Sequence, residues 1–198
     1  MSGPYVASLF YLMLPIVLAG VSNMLYVKLP LHRALSAPMD GRRILKDGKR
    51  LFGDNKTWKG FLGMIFLSSF WFSLQAALAA AFPWAKNLSL VPFESLPWPL
   101  LPPLCGGVWG LGYALFELPN SFMKRRLGIE PGTNLTGPRG ILFSVIDQAD
   151  SVVGCLAALY AFFRYDLRTG LLLLVIGVAV HYTLNVGLYF TRLKKQAA

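Results

Sequence analysis

Apolar residues fall into five long runs along the chain, about Tyr5–Val27, Phe61–Ala85, Ser95–Phe116, Ile141–Phe163 and Leu171–Phe190. Each carries little or no charge and reaches the roughly 20 residues that a helix needs to cross a bilayer. Pro15 interrupts the first run, and Pro97, Pro99, Pro102 and Pro103 crowd the start of the third. Trp84 and Trp98 stand at run ends, where amphipathic rings favour the membrane–water interface.

The charges between the runs are unevenly shared. The segments at 28–59, 117–140 and 191–198 hold 16 of the 19 Lys and Arg residues, and the intervening segments hold 3. Five alternating spans place every rich segment on one side, which the positive-inside rule makes the cytoplasm. The pattern therefore predicts one polytopic domain over 1–198, an all-α integral membrane protein of about five transmembrane helices. Its N-terminus is expected outside and its C-terminus in the cytoplasm of a cell membrane, with polar cytoplasmic loops at 28–60 and 117–140.

Composition agrees. The 198 residues are 55% hydrophobic and 14% charged, and mean hydropathy is +0.53. A soluble domain carries about 25% charged residues. The net charge of +10 suits anionic headgroups of membrane lipids and an anionic substrate. No nucleic-acid partner is expected, because the cations flank apolar spans. Cys105 and Cys155 lie in apolar runs without a Cys or His partner in motif spacing, and read as small buried hydrophobes. No cation precedes Lys28, which argues against a cleaved signal peptide.

Candidate chemistry concentrates on the cytoplasmic side. Asp147 and Asp150 sit inside the fourth run, where an ionised carboxylate demands a reason. Three residues apart on a helix they share a face, and with Ser144 and Ser151 they form a polar stripe near the cytoplasmic end. Either they pair with an Arg of the neighbouring loop, or they hold Mg²⁺, which takes oxygen ligands and bridges carboxylates to substrate phosphates. Lys124, Arg125 and Arg126 follow Asn120 and Ser121. They act either as topology determinants or as a phosphate clamp, Lys as a point charge and Arg as a bidentate fork. A third cluster, Asp54 to Lys59, offers Asn55, Lys56, Thr57 and Lys59 as donors, with Asp54 as a helix N-cap and Trp58 as an interfacial anchor in the alternative.

Two lookalikes carry no chemistry. Gly106-x-x-x-Gly110 within the third span reads as close helix packing, which leaves room for a homodimer. His181, four residues before Asn185, reads as hydrogen-bonded within the bundle.

These motifs resemble the membrane CTP:phosphatidate cytidylyltransferases. Ser121-x-x-Lys124-Arg125, the turn at Pro131-Gly132 and Gly140, and Asp147-Gln148-Ala149-Asp150 follow that family's signature. Departures lie at Ile129-Glu130, at Pro138-Arg139-Gly140, and at Gln148, which replaces an Arg. Gly53-Asp54-Asn55-Lys56-Thr57-Trp58-Lys59-Gly60-Phe61, Glu117-Leu118-Pro119-Asn120-Ser121 through Ile129, and Asp147 to Ser151 look like the short CDP-archaeol synthase branch. The resemblance implies transfer of CMP from CTP to an archaetidic-acid type lipid phosphate, with Mg²⁺ as cofactor and pyrophosphate as by-product. On it, Asp147 and Asp150 hold the metal, and with Lys124 they form the catalytic set. Arg125, Arg126, Ser121, Asn120, Asn55, Lys56, Thr57, Lys59 and Gln148 bind substrate. Synthesis of CDP-diacylglycerol from phosphatidate, a small anion or lipid transporter, and a scaffold holding anionic lipid are the alternatives.

Overall fold

The computed structural model describes residues 3–96, 100–131, 133 and 137–190, without the side chains of Pro138, Arg139 and Ile141. Trp98, Gly132, the Pro138-Arg139 side chains and the basic tail from Thr191 therefore lie outside the described residues. The rest is all-helical, with five long helices and one short one: α1 (Gly3–Lys28), α2 (Trp58–Ala81), α3 (Pro83–Leu88), α4 (Leu101–Arg126), α5 (Gly137–Tyr160) and α6 (Leu167–Phe190). Among the described residues, four helices are long and apolar enough to cross a membrane: Gly3–Lys28, Trp58–Ala81, Leu142–Tyr160 and Leu167–Phe190.

The boundaries shift from the apolar runs for local reasons. α2 starts at Trp58 because Thr57 caps it, its hydroxyl accepting from the Gly60 N–H at 3.2 Å; Asp54 instead pairs with Arg50 at 3.1 Å. α2 stops at Ala81 because Pro83 opens the next helix, and the residue before a proline is pushed out of the helical region. α4 begins with Pro102 and Pro103 in its first turn, where the missing N–H has no helical partner to lose. It runs ten residues past Phe116, through Pro119, to Arg126. Half of the stretch expected as a loop after residue 117 is thus helical. Helix propensity does not stop where apolarity stops, and Lys124, Arg125 and Arg126 favourably end a helix dipole.

Glycines set how closely the helices approach. A Cβ on Gly106 would lie 2.7 Å from the Ser68 carbonyl, and one on Gly110 would lie 2.6 Å from the Met64 carbonyl. The G-x-x-x-G packing expected from the sequence is therefore made inside the chain, against α2. A Cβ on Gly112 would lie 2.5 Å from the Gly154 carbonyl, so α4 and α5 touch backbone to backbone there. Asn120 is eight residues beyond Gly112 and Asp147 is seven before Gly154. At about 1.5 Å per residue the two come level, about 11–12 Å from the crossing. Cys105 and Cys155 are buried and unbridged; both belong to the apolar core around Phe72 and Trp109.

The α1–α2 connection folds as a compact cap over the end of α4. Its organiser is Asp40, whose carboxylate is fully buried. Arg50 reaches it with Nη2 at 2.7 Å and Nε at 3.1 Å, and the Phe52, Gly53 and Arg42 amides donate at 3.0–3.1 Å. Burial alone pushes the Asp40 carboxyl up, but these donors outweigh it and hold the group well below the usual carboxylate range. Asp40-Gly41 and Asp47-Gly48 lie in turns, both glycines taking positive φ. Asp47 pairs with Arg126, and Lys49 Nζ donates to the Arg126 carbonyl at 2.6 Å.

Candidate active site

A cavity of about 370 Å³ opens where the ends of α4 and α5 meet the α1–α2 connection. α4 supplies Glu117, Asn120, Ser121, Lys124 and Arg125; α5 supplies Asp147, Gln148 and Asp150; the connection supplies Asn55 and Lys56. Tyr113, His181 and Asn185 form part of the wall. Residues 117, 120, 121 and 124 fall on one face of α4 by the three- and four-residue rule, opposite the 147/150 face of α5.

Asn120 ties the acids together. Its Nδ2 donates to Asp147 Oδ1 at 2.6 Å and to Asp150 Oδ2 at 2.7 Å, bringing both carboxylates onto one donor. Lys124 pairs with Asp147, and Lys56 pairs with Glu117. Arg125 differs from both lysines. It is buried, and its Nε and Nη1 have no hydrogen-bond partner among the described residues. A buried guanidinium left unmatched beside this cavity is poised for an anion, since leaving such donors unmatched is unfavourable by several kcal/mol.

Two residues expected in the site point elsewhere. Lys59 is almost wholly buried, with Nζ donating to the Leu29 carbonyl at 2.6 Å and the Val27 carbonyl at 3.3 Å. It also lies 4.9 Å over the Tyr26 ring. It caps the orphan carbonyls at the end of α1, and an ammonium suits that negative helix end. Arg126 turns to Asp47 and to the Arg50 carbonyl, so it locks the connection onto α4. Thr57 is the α2 cap and lines a neighbouring cavity of about 220 Å³ with Asn23 and Gly60. Gln148 reaches the cavity wall, but its side chain already accepts from Asn185 Nδ2 at 2.7 Å. Ser144 is not in the cavity lining, and Ser151 is buried beside it.

The structure also adds residues that motif reading did not assign: Glu117, Tyr113, His181 and Asn185. Glu117 stood in plain view at the head of the E-L-P-N-S stretch, an acid seven residues before Lys124 at helical spacing. His181 and Asn185 carried only an i, i+4 signal, too common to single out.

The donor set fits a hard divalent cation. Among the described residues no three His, Cys, Asp or Glu side chains cluster as a complete metal cage. Mg²⁺ needs none, because it keeps waters and substrate oxygens beside one or two carboxylates, and Asp147 and Asp150 converge as such a pair.

Beside the charged cavity runs an apolar groove between α1, α4, α5 and α6, lined by Val17, Leu156, Leu159 and Leu184 among others. The two share Met24, Tyr113, His181 and Asn185. A charged chamber thus opens directly onto an apolar one.

Residues 5–197 match the family model described as CarS-like, CDP-archaeol synthase. The chain is 30% identical over 152 residues to the CDP-archaeol synthase of Pyrococcus furiosus, covering 77% of this chain and 78% of that one. It is 29% identical over 176 residues to the CDP-archaeol synthase of Methanosarcina acetivorans, with 80% and 89% covered. It also resembles a solved structure of an intramembrane enzyme for archaeal membrane lipid biosynthesis. That match has a TM-score of 0.59 and 27% identity, over 89% of this chain and 92% of the other.

Proposed function

The chain belongs to the CDP-archaeol synthase family, membrane enzymes that are CTP-dependent cytidylyltransferases, and we propose on that footing how its cavity performs the transfer. CTP enters from the cytoplasm with its triphosphate on Arg125, Lys124 and Lys56, helped by the hydroxyl of Ser121 and the amide of Asn55. The acceptor is a lipid phosphate of the archaetidic acid type at the inner leaflet. Its chains lie in the apolar groove and its phosphate reaches the chamber past Tyr113 and His181. The five long helices form one catalytic domain in the cell membrane.

A phosphate oxygen of the lipid is already an anionic nucleophile, so no Ser or Cys is needed. It attacks the α-phosphorus of CTP, the bond to the β-phosphate oxygen breaks, and pyrophosphate leaves. The chain's own task is to place two anions together and neutralise the charge that develops, as in other phosphoryl transfers. Arg125 offers two donors to non-bridging oxygens without disturbing any existing bond. Lys124 sits between the acid pair and the phosphate path. Asn120 orients both acids. Asp147 and Asp150 would hold Mg²⁺, which would supply additional neutralisation of the triphosphate.

The observation that carries this reading is the buried, unmatched guanidinium of Arg125 in the same chamber as the paired acids. The test is pyrophosphate release by purified protein given CTP, Mg²⁺ and either an unsaturated ether-linked archaetidic acid or an ester-linked phosphatidate. Release with the ether lipid is expected. Release with neither lipid rules the reading out, and release with phosphatidate alone reassigns the acceptor.

A further inference from the structure

Lys56 comes from the cap and Glu117 from α4, and they meet across the cavity wall as an ion pair. Their side chains are 19% and 27% exposed, so the pair faces the chamber and is not sealed in the core. Both residues also line the smaller cavity beside Thr57 and Asn23. The pair therefore stands in the partition between two chambers of about 370 and 220 Å³.

Of the three cations in the main chamber, Lys124 and Lys56 are each held by a carboxylate, and Arg125 has unmatched donors. A triphosphate needs more than one cation, and it can recruit the lysines only by displacing their acids. The two exchanges differ. Asp147, the partner of Lys124, is also gripped by Asn120 and belongs to the metal pair. Glu117 is not part of that pair, and Tyr113 lies against it as well as Lys56.

We propose that Glu117 is an internal stand-in for substrate phosphate: it holds Lys56 in the ligand-free protein and yields it to the triphosphate when CTP binds. This rests on the nucleotide reading above and adds a role for a residue outside the motif carboxylates. A carboxylate that occupies the phosphate position on Lys56 competes with the nucleotide, and its release opens the partition between the chambers. The freed Glu117 then faces Asp150, adding negative charge where the divalent cation binds. Nucleotide and metal thereby favour each other, and such coupling is reciprocal.

The test is calorimetric titration of CTP into full-length protein in detergent with EDTA, for wild type, Glu117→Gln, Lys56→Gln and the double variant. Glu117→Gln is expected to bind CTP about tenfold more tightly than wild type without metal, and the gain is expected to vanish in the Lys56→Gln background. Glu117→Ala removes the same carboxylate by another route and should reproduce the gain. An unchanged or weaker affinity in both Glu117 variants overturns the proposal. So does a gain that survives without Lys56, because it reports a general field and not an exchange at Lys56. A parallel titration of wild type with Mg²⁺ separates the two readings: CTP binding there with no gain in the variants leaves the site reading standing alone, and no CTP binding at all removes both.

Discussion

Asn185 of α6 donates to Gln148 Oε1 at 2.7 Å, both residues being buried. One turn earlier His181 Nδ1 donates to the Gln148 backbone carbonyl at 3.1 Å. Gln148 lies between Asp147 and Asp150, so this double grip fixes the rotation of α5 that turns both acids to the cavity. Asn185→Leu leaves a buried amide oxygen unmatched and should lower stability by about 1–3 kcal/mol. Turnover should fall about tenfold with little change in KM for CTP. Thermal unfolding beside steady-state pyrophosphate release checks this; wild-type kcat shows that α5 is held without Asn185.

Asp147→Asn and Asp150→Asn keep the size of each side chain and can still accept from Asn120. Both proteins should insert and elute like wild type, while pyrophosphate release drops ~100-fold or more. Excess EDTA should silence the wild type to the same degree. Normal turnover in either variant contradicts the metal assignment.

Lys59→Met separates a structural lysine from a phosphate ligand. The uncapped Val27 and Leu29 carbonyls should destabilise the fold by about 1–3 kcal/mol, seen as a lower unfolding temperature. KM for CTP should stay within twofold of wild type. A large rise in KM with unchanged stability would return Lys59 to the nucleotide site.

Gly112→Ala forces α4 from α5 at the crossing that brings Asn120 level with Asp147. Overpacking of this kind destabilises by about 1–3 kcal/mol, and turnover should fall with it. Gly187→Ala is the matched control, since a Cβ there meets nothing within 4 Å. It should be neutral or slightly stabilising, because alanine is the better helix former. Equal behaviour of the two variants in thermal unfolding would show that the crossing tolerates a methyl group.

Asp40 gives the cap a predictable acid response. Its folded-state pKa lies below the unfolded value, so its stabilising contribution is complete above about pH 4. That contribution is lost progressively as pH falls from there through the depressed folded value. Protection factors of the Phe52 and Gly53 amides should therefore stay flat from pH 7 to about pH 4 and fall progressively below it. Asp40→Asn should lose them across that range, at about 3 kcal/mol for a buried pair whose Arg50 is partly solvated. Wild-type protection that stays level well below pH 4 would show a carboxyl whose pKa does not change on folding.

The site was partly legible for a definite reason. Asp147, Asp150, Asn120, Ser121, Lys124 and Arg125 are spaced three or four apart, so helical geometry alone puts each set on one face, and the structure opposes those faces. Lys59 and Arg126 belong to the same polar clusters, yet one caps α1 and the other binds Asp47. Their destinations depend on carbonyls and a carboxylate 30 and 79 residues away in sequence, which no local pattern encodes.

Composition and apolar run length, read from the sequence alone, were enough to set an all-helical membrane protein, and motif spacing marked where its polar faces lie. Both are local properties of a chain whose backbone must satisfy its own hydrogen bonds in lipid. Only the tertiary structure decided which polar residues share one chamber, that Glu117 and not solvent faces Lys56, and that α6 grips Gln148. Those outcomes follow from the glycine-set approach of α4 to α5 and from the cap folding over them. Pairing between distant segments is fixed by the packing of the whole bundle, whereas helices are fixed by their own residues.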